Sequence, residues 1–308
     1  MASTVRDTVT PGLASSTTRP GVWLTELSLV GMALIWGVNF SVVKFGTGLV
    51  DPLAYNGLRV AIAAAVLAVV AVAGRTPWPP GRIVVTLVGL GVLGNGIYQF
   101  FFVEGLARTS ASDTALVVAA SPAFIALIGR ARGVERISRK GAIGICLSIA
   151  GIALVVLGSA RAQTGESSSL LGDVLVLCGS LTWATYTILL KPYTERVSGF
   201  QLAALTMLGG AVPLVAVAWP AMMAAHWSAV PRAGWAALFY SSVFALVIAY
   251  YFWYHGVRVI GPTRTAMYSN LQPLIAVLVA WLVLGESPTP WQGVGAASIM
   301  SGLLLTRM

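Results

Sequence analysis

The few polar side chains of this apolar chain fall into a pattern. Asn95, Tyr98, Gln99 and Phe102 recur at i, i+3, i+4 and i+7, which puts them on one face of a helix. Trp36 and Asn39 share a face with Phe40 and Val43, and Trp183 and Tyr186 stand among Thr185 and Thr187. Thr114 and Ser121 follow one another in a further run, and Thr265, Tyr268, Ser269, Asn270 and Gln272 crowd a late one. A polar group in hydrocarbon is costly, so such residues face a bundle interior or an aqueous cavity. What they offer is binding: aromatic walls with neutral hydrogen-bonding groups, suited to a small amphipathic solute that carries a ring. Tyr250 to Tyr254 are five consecutive aromatics. They cover every side of a helix, so at most two can face one cavity, and Tyr250 and Trp253 are the candidates. Tyr and Trp also gather at membrane interfaces, so anchoring competes with binding in that run.

Arg59 is the one charge well inside an apolar run. It could hold a substrate carboxylate, or snorkel to the outer surface. Glu26, Glu104, Asp113 and Asp173 sit near the ends of runs. No carboxylate or histidine is expected at mid-membrane, where a proton relay would place one, and this favours a facilitator. Pro122 and Pro273 interrupt two apolar runs at corresponding positions. A proline frees a backbone carbonyl and bends a helix, so both are candidate hinges.

Bond-making chemistry has no grouping here. HExxH, GxSxG and Walker loops are absent, and the only histidines are His226 and His255, so no enzyme activity, metal or cofactor is expected. Cys146 and Cys178 both lie in apolar runs and imply no disulfide framework. Gly89 to Gly94 matches GxGxxG, but it follows no strand and has no acidic partner downstream. Close helix packing through small residues is the better account. Asn39-Phe40-Ser41 reads as a glycosylation acceptor but is buried in an apolar run.

The elements that carry these residues are membrane spans. Of 308 residues, 57% are apolar and 9% charged, with a mean hydropathy of +0.84; a soluble chain carries roughly a quarter charged residues. The net charge of +9 comes from single Lys and Arg residues between apolar runs, not from a basic stripe, so nucleic acid is not an expected partner. The lipid bilayer is. At roughly 20 residues per crossing, spans fall near 23–43, 53–73, 83–104, 112–130, 140–159, 171–190, 200–219, 234–254, 264–284 and 291–306. Residues 1–21, rich in Ser, Thr and Pro, read as a disordered cytoplasmic tail.

The chain repeats itself. Gly105–Glu135 is answered by Gly256–Glu286 at a constant spacing of 151, with Ala115 opposite Ala266 and Pro122 opposite Pro273. Trp36 answers Trp183 and Lys44 answers Lys191 at a spacing of 147. This predicts two five-helix repeats, 22–160 and 161–308. With the N-terminus in the cytoplasm, fourteen Lys and Arg lie on the cytoplasmic side and four outside, so both termini are expected there. An odd number of spans per repeat turns the second copy upside down.

These residues resemble the drug/metabolite transporter superfamily, in its EamA-type members. The resemblance rests on IWGVNFSVVKFG at 35–46, DPLAYNGLR at 51–59, GLARTSASDTALVVAASP at 105–122, Gly256 through Pro273, and Leu284-Gly285-Glu286. It implies an all-α membrane protein of ten transmembrane helices, two inverted five-helix repeats around a central cavity. It also implies transport of small organic solutes across the inner membrane. The aromatic cavity candidates are similar to those of the YddG-like aromatic amino-acid exporters. The expected activity is therefore export of small metabolites, amino acids including aromatic ones, by alternating access. The alternatives are a drug, nucleotide-sugar or sugar-phosphate transporter, or a non-transporting membrane protein. The chain departs from the pattern at IGRARGVE, where Arg130 and Arg132 replace apolar residues of the other repeat, and at Thr206, which stands where the first repeat has Arg59.

Overall fold

The computed structural model describes residues 22–133, 138–162 and 170–307. The expected tail over 1–21, with Arg6 and Arg19, lies outside the described residues, as do Glu135 and Arg136. The described chain forms ten helical rods: α1 (Val22–Thr47), α2 (Pro52–Ala73), α3 (Gly81–Arg108), α4 (Ala111–Ala131), α5 (Arg139–Ala162), α6 (Leu170–Thr194), α7 (Gly199–Ala224), α8 (Arg232–Ile260), α9 (Pro262–Leu284) and α10 (Pro290–Arg307). Each contains its expected span and overruns it, by up to six residues at the end of α8.

Eight of the ten, all but α5 and α10, are long and apolar enough to cross a membrane. Leu34, Val69, Val85, Val212, Trp219 and Trp281 are exposed on the outside of the bundle, while Asn56, Arg59, Gln99, Thr206 and Gln272 are buried within it. That polarity is the reverse of a soluble protein's. The chain is a multi-pass membrane protein.

α5 and α10 pack against each other through glycine and serine, which also lowers the apolarity of both. A Cβ on Gly151 would lie 2.8 Å from the carbonyl oxygen of Gly295, and one on Gly302 would overlap that of Gly144. Ser148 donates to the carbonyl of Ile299 at 3.4 Å and Ser298 to that of Leu147 at 2.9 Å, each across 151 positions. Residues 151 apart in the sequence therefore meet in space along this pair.

The GxGxxG stretch does pack helices. Gly91 lies against the backbone of Thr206 in α7, and Gly94 against the ring of Tyr186 in α6. Its neighbour Gly89 has nothing within 4 Å. Both α3 and α8 loosen into π-helix at matching places, Val92–Ile97 and Tyr240–Ile248. A π turn inserts a residue and shifts the faces on either side of it.

α4 and α9 are both broken. α4 turns at Ala119 and Ala120 and resumes at Ser121. α9 passes through a 3-10 turn at Ser269–Leu271 and resumes at Gln272. Pro122 and Pro273 lie in the first turn of each resumed helix, where the N–H that proline lacks has no partner to lose. The prolines thus start new helical segments and do not kink continuous ones.

Candidate functional site

One cavity lies at the centre of the bundle, with room for water centres of about 40 Å³. That is enough for roughly three waters. Trp36 and Asn39 of α1, Arg59 of α2, and Tyr98, Gln99 and Phe102 of α3 line one side. Ser121 and Pro122 of α4, Trp183 of α6, Tyr250 and Trp253 of α8, and Ser269 and Gln272 of α9 complete it.

Aromatic rings on the lining pack against one another. Trp36 meets Trp183 edge-on with centroids 6.0 Å apart, Tyr250 at 5.7 Å and Trp253 at 5.7 Å. Trp183 also lies 4.9 Å from Tyr98 and 5.3 Å from Trp253. Trp36 and Trp183 are the repeat-equivalent tryptophans. Gln99 donates to the Tyr250 hydroxyl at 2.9 Å across 151 positions, so a second equivalent pair touches here. Trp36 is fixed by a bond from its Nε1 to the carbonyl of Ala245 at 2.9 Å, inside the π-helical stretch of α8.

Arg59 points inward. It is fully buried, with 0% exposure, and does not snorkel. Its Nη2 donates to Asn56 Oδ1 at 3.1 Å and to Gln99 Oε1. Asn56 Nδ2 is held in turn by the carbonyl of Gln99 at 2.8 Å. Nε and Nη1 of Arg59 have no hydrogen-bond partner. The Oδ1 of Asn39 and the Oγ of Ser121, on the lining, are also buried without partners.

Five expected residues lie elsewhere. Asn95 is buried against Gly210 of α7, because the π turn of α3 takes it out of phase with Tyr98 and Gln99. Tyr186 is covered by Gly94, and its hydroxyl meets that of Tyr254 at 2.8 Å. Tyr268 is half-buried against the apolar core. Asn270 falls in the 3-10 turn of α9, which rotates it off the lining. Pro273 lines a separate apolar groove with Leu274, Val277 and Trp281. Pro122 does reach the cavity, so the two candidate hinges differ in surroundings. The sequence reading missed Val118, Ala245, Leu246 and Ala266 on the lining; small apolar residues in an apolar helix carry no signal.

The two ends of the bundle differ. At one, Lys44 Nζ donates to the carbonyls of Leu106, Ala107 and Thr109 at 3.2, 3.0 and 2.7 Å, capping α3. Glu286 accepts from the backbone N–H groups of Ala111 and Ser112 at 3.0 and 3.1 Å, capping the start of α4. At the other end Thr25 meets His255 at 3.1 Å. Lys191, the repeat-equivalent of Lys44, pairs there with exposed Glu195 at 2.6 Å.

The model of the EamA-like transporter family matches residues 23–157 and matches again at 170–308. The chain belongs to the EamA-like transporter family. Among relatives, this EamA-like transporter is 25% identical to the uncharacterized transporter YyaM of Bacillus subtilis, over 90% of this chain and 92% of that one. It is 25% identical to a probable amino-acid metabolite efflux pump of Salmonella typhimurium, over 89% of this chain and 91% of that one. A solved crystal structure superposes with a TM-score of 0.62 at 21% identity, over 92% of this chain and 98% of that one. At that identity the likeness is one of fold alone.

Proposed function

We propose that this EamA-like transporter exports small metabolites, most notably amino acids including aromatic ones, across the inner membrane by alternating access. The observation that carries this is a fully buried guanidinium, Arg59, set into a box of Trp and Tyr rings. A carboxylate at the cation and a ring among the aromatics is what an aromatic amino acid presents. The Salmonella relative, a probable amino-acid metabolite efflux pump, agrees with that class. Phosphorylated solutes would need several cavity-facing cations, and Arg59 alone supplies one.

The ten rods are all taken to span the membrane, with both termini cytoplasmic on the excess of Lys and Arg in the loops of that side. The Lys44 end is then the outer one. Three carbonyl bonds from Lys44 and the Glu286 cap close that end. Lys191 makes no equivalent cap and sits half-exposed at the inner end. In an inverted repeat the two ends exchange roles. In the opposite state Lys191 takes the carbonyls of Val257, Arg258 and Ile260, which correspond to those Lys44 holds now, and Lys44 lets go. The 40 Å³ cavity is too small for an amino acid. The rings must separate for the solute to enter, with the breaks before Pro122 and Pro273 as hinges.

Uptake into proteoliposomes holding only this protein tests the proposal, with labelled amino acids, sugars and nucleotides, with and without a pH gradient. Saturable phenylalanine or tryptophan uptake that ignores the gradient is expected. No amino-acid uptake by demonstrably folded protein overturns it. Gln99→Ala and Tyr98→Ala should each slow phenylalanine uptake by about 10-fold while expression is kept, the value of one buried hydrogen bond or ring contact. Unchanged uptake in both removes α3 from the site.

A further inference from the structure

We infer that the cavity selects its solute by the carboxylate and does not require the amine, so that aromatic monocarboxylates lacking an amino group belong to its substrate class. This rests on the transport reading above and narrows the substrate at the same site.

The cation comes first. A guanidinium has five N–H donors. Two of Arg59's are used on Asn56 and Gln99, and the Nε–H and Nη1 donors are left without partners in a fully buried side chain. No Asp or Glu lines the cavity, and among the described residues Arg59 has no ion pair. An unpaired buried charge is strongly unfavourable. A ligand carboxylate supplies the missing negative charge and accepts the free donors, the geometry at which Arg excels.

The amine has no counterpart to this. Apart from Arg59, an ammonium group on the lining meets uncharged groups only: the ring faces, the side chains of Ser269 and Gln272, and the free Oδ1 of Asn39 and Oγ of Ser121. These can hold the ammonium of a zwitterion. They cannot hold a lone amine against the repulsion of an unneutralised Arg59. An acid without an amine leaves Asn39 and Ser121 to water, at small cost. The ring packs among Trp36, Trp183 and Trp253 in either case, so acids without a ring lose that part of the binding.

The test is calorimetric binding to the purified full chain in detergent, with phenylalanine, phenylpropanoate, phenethylamine and acetate as probes, together with their inhibition of phenylalanine uptake. Phenylpropanoate should bind within about 10-fold of phenylalanine, and phenethylamine at least about 100-fold more weakly than either. Acetate should fall about 100-fold below phenylpropanoate, for want of a ring. Arg59→Gln should weaken phenylpropanoate at least about 30-fold and leave phenethylamine unchanged or improved. Arg59→Lys, which keeps the charge, should recover part of the loss; should Arg59→Gln not fold, this variant and the wild-type ranking decide.

Phenethylamine binding as well as phenylpropanoate overturns the inference. So does a phenylpropanoate affinity about 100-fold below that of phenylalanine, which would make the amine essential. Acetate binding as tightly as phenylpropanoate overturns it in favour of a plain anion site. Phenylalanine uptake blocked by the amine and not by the acid defeats the inference but leaves amino-acid transport standing. No binding of any of the four by folded protein defeats both.

Discussion

Gly91→Val should abolish accumulation of folded protein, while Gly89→Val, two positions earlier in the same helix, should leave it unchanged. A Cβ at Gly91 would lie 2.7 Å from the backbone carbon and 2.8 Å from the Cα of Thr206, and would overlap its carbonyl oxygen. Gly209 of α7 meets the backbone of Val88 in the same way. Backbone faces backbone along this seam, so no side chain can rotate aside. Overpacking of an adjustable core costs about 1–3 kcal/mol. Here α3 and α7 must move apart along their whole contact, so the cost should exceed ~3 kcal/mol, a large part of a typical stability of ~5–15 kcal/mol. Gly89 has nothing within 4 Å and faces outward, so it carries the same change of helix propensity without the collision. Fluorescence-detected size-exclusion chromatography and melting of the two variants decide. If Gly91→Val melts within about 2 °C of the parent, the seam is not where the helices are held.

The contrast between the two glycines shows what a sequence pattern can and cannot carry. Close packing of small residues was legible from GxGxxG, but which glycines face the neighbour depends on helix rotation, and only contact reveals that. The same holds at the cavity. Tyr98, Gln99 and Phe102 keep the helical period and do share a face on the lining. Asn95 fits the same period on paper, yet the π turn at Val92–Ile97 inserts a residue between it and the others. The repeat was legible because it is a relation between residues: Gln99 and Tyr250, or Ser148 and Ile299, are 151 apart and touch. Arg59 was visible as the one charge well inside an apolar run, but its choice between lipid headgroups and cavity is a matter of rotamer and of the carboxamides of Asn56 and Gln99 that hold it. The cap by Lys44 had no signature, since its partners are backbone carbonyls, which every sequence has.

That cap gives the second large effect. Lys44→Met should open the end of the bundle that Lys44 closes, and Lys191→Met should not. The reporter is Ser121→Cys, a cavity-lining position, in a background with Cys146→Ala and Cys178→Ala. Lys44 places one charge on three carbonyls at 2.7–3.2 Å, and hydrogen bonds to a charged group contribute about 1.5–3 kcal/mol each. Losing even one such bond from one state of a two-state equilibrium shifts the populations by about 10-fold or more. Lys191 is paired instead with exposed Glu195, and a surface pair is worth about 0–1 kcal/mol. An impermeant maleimide applied from the Lys44 side should therefore label the reporter cysteine about 10-fold faster in Lys44→Met than in the parent, and at the parent rate in Lys191→Met. The asymmetry matters more than either rate. The two lysines are equivalent in the repeat, so their unequal effects would report the state the protein rests in and not their chemistry. Equal labelling in both variants would mean that Lys44 caps α3 in every state, and that closure of that end rests on Glu286 at the start of α4.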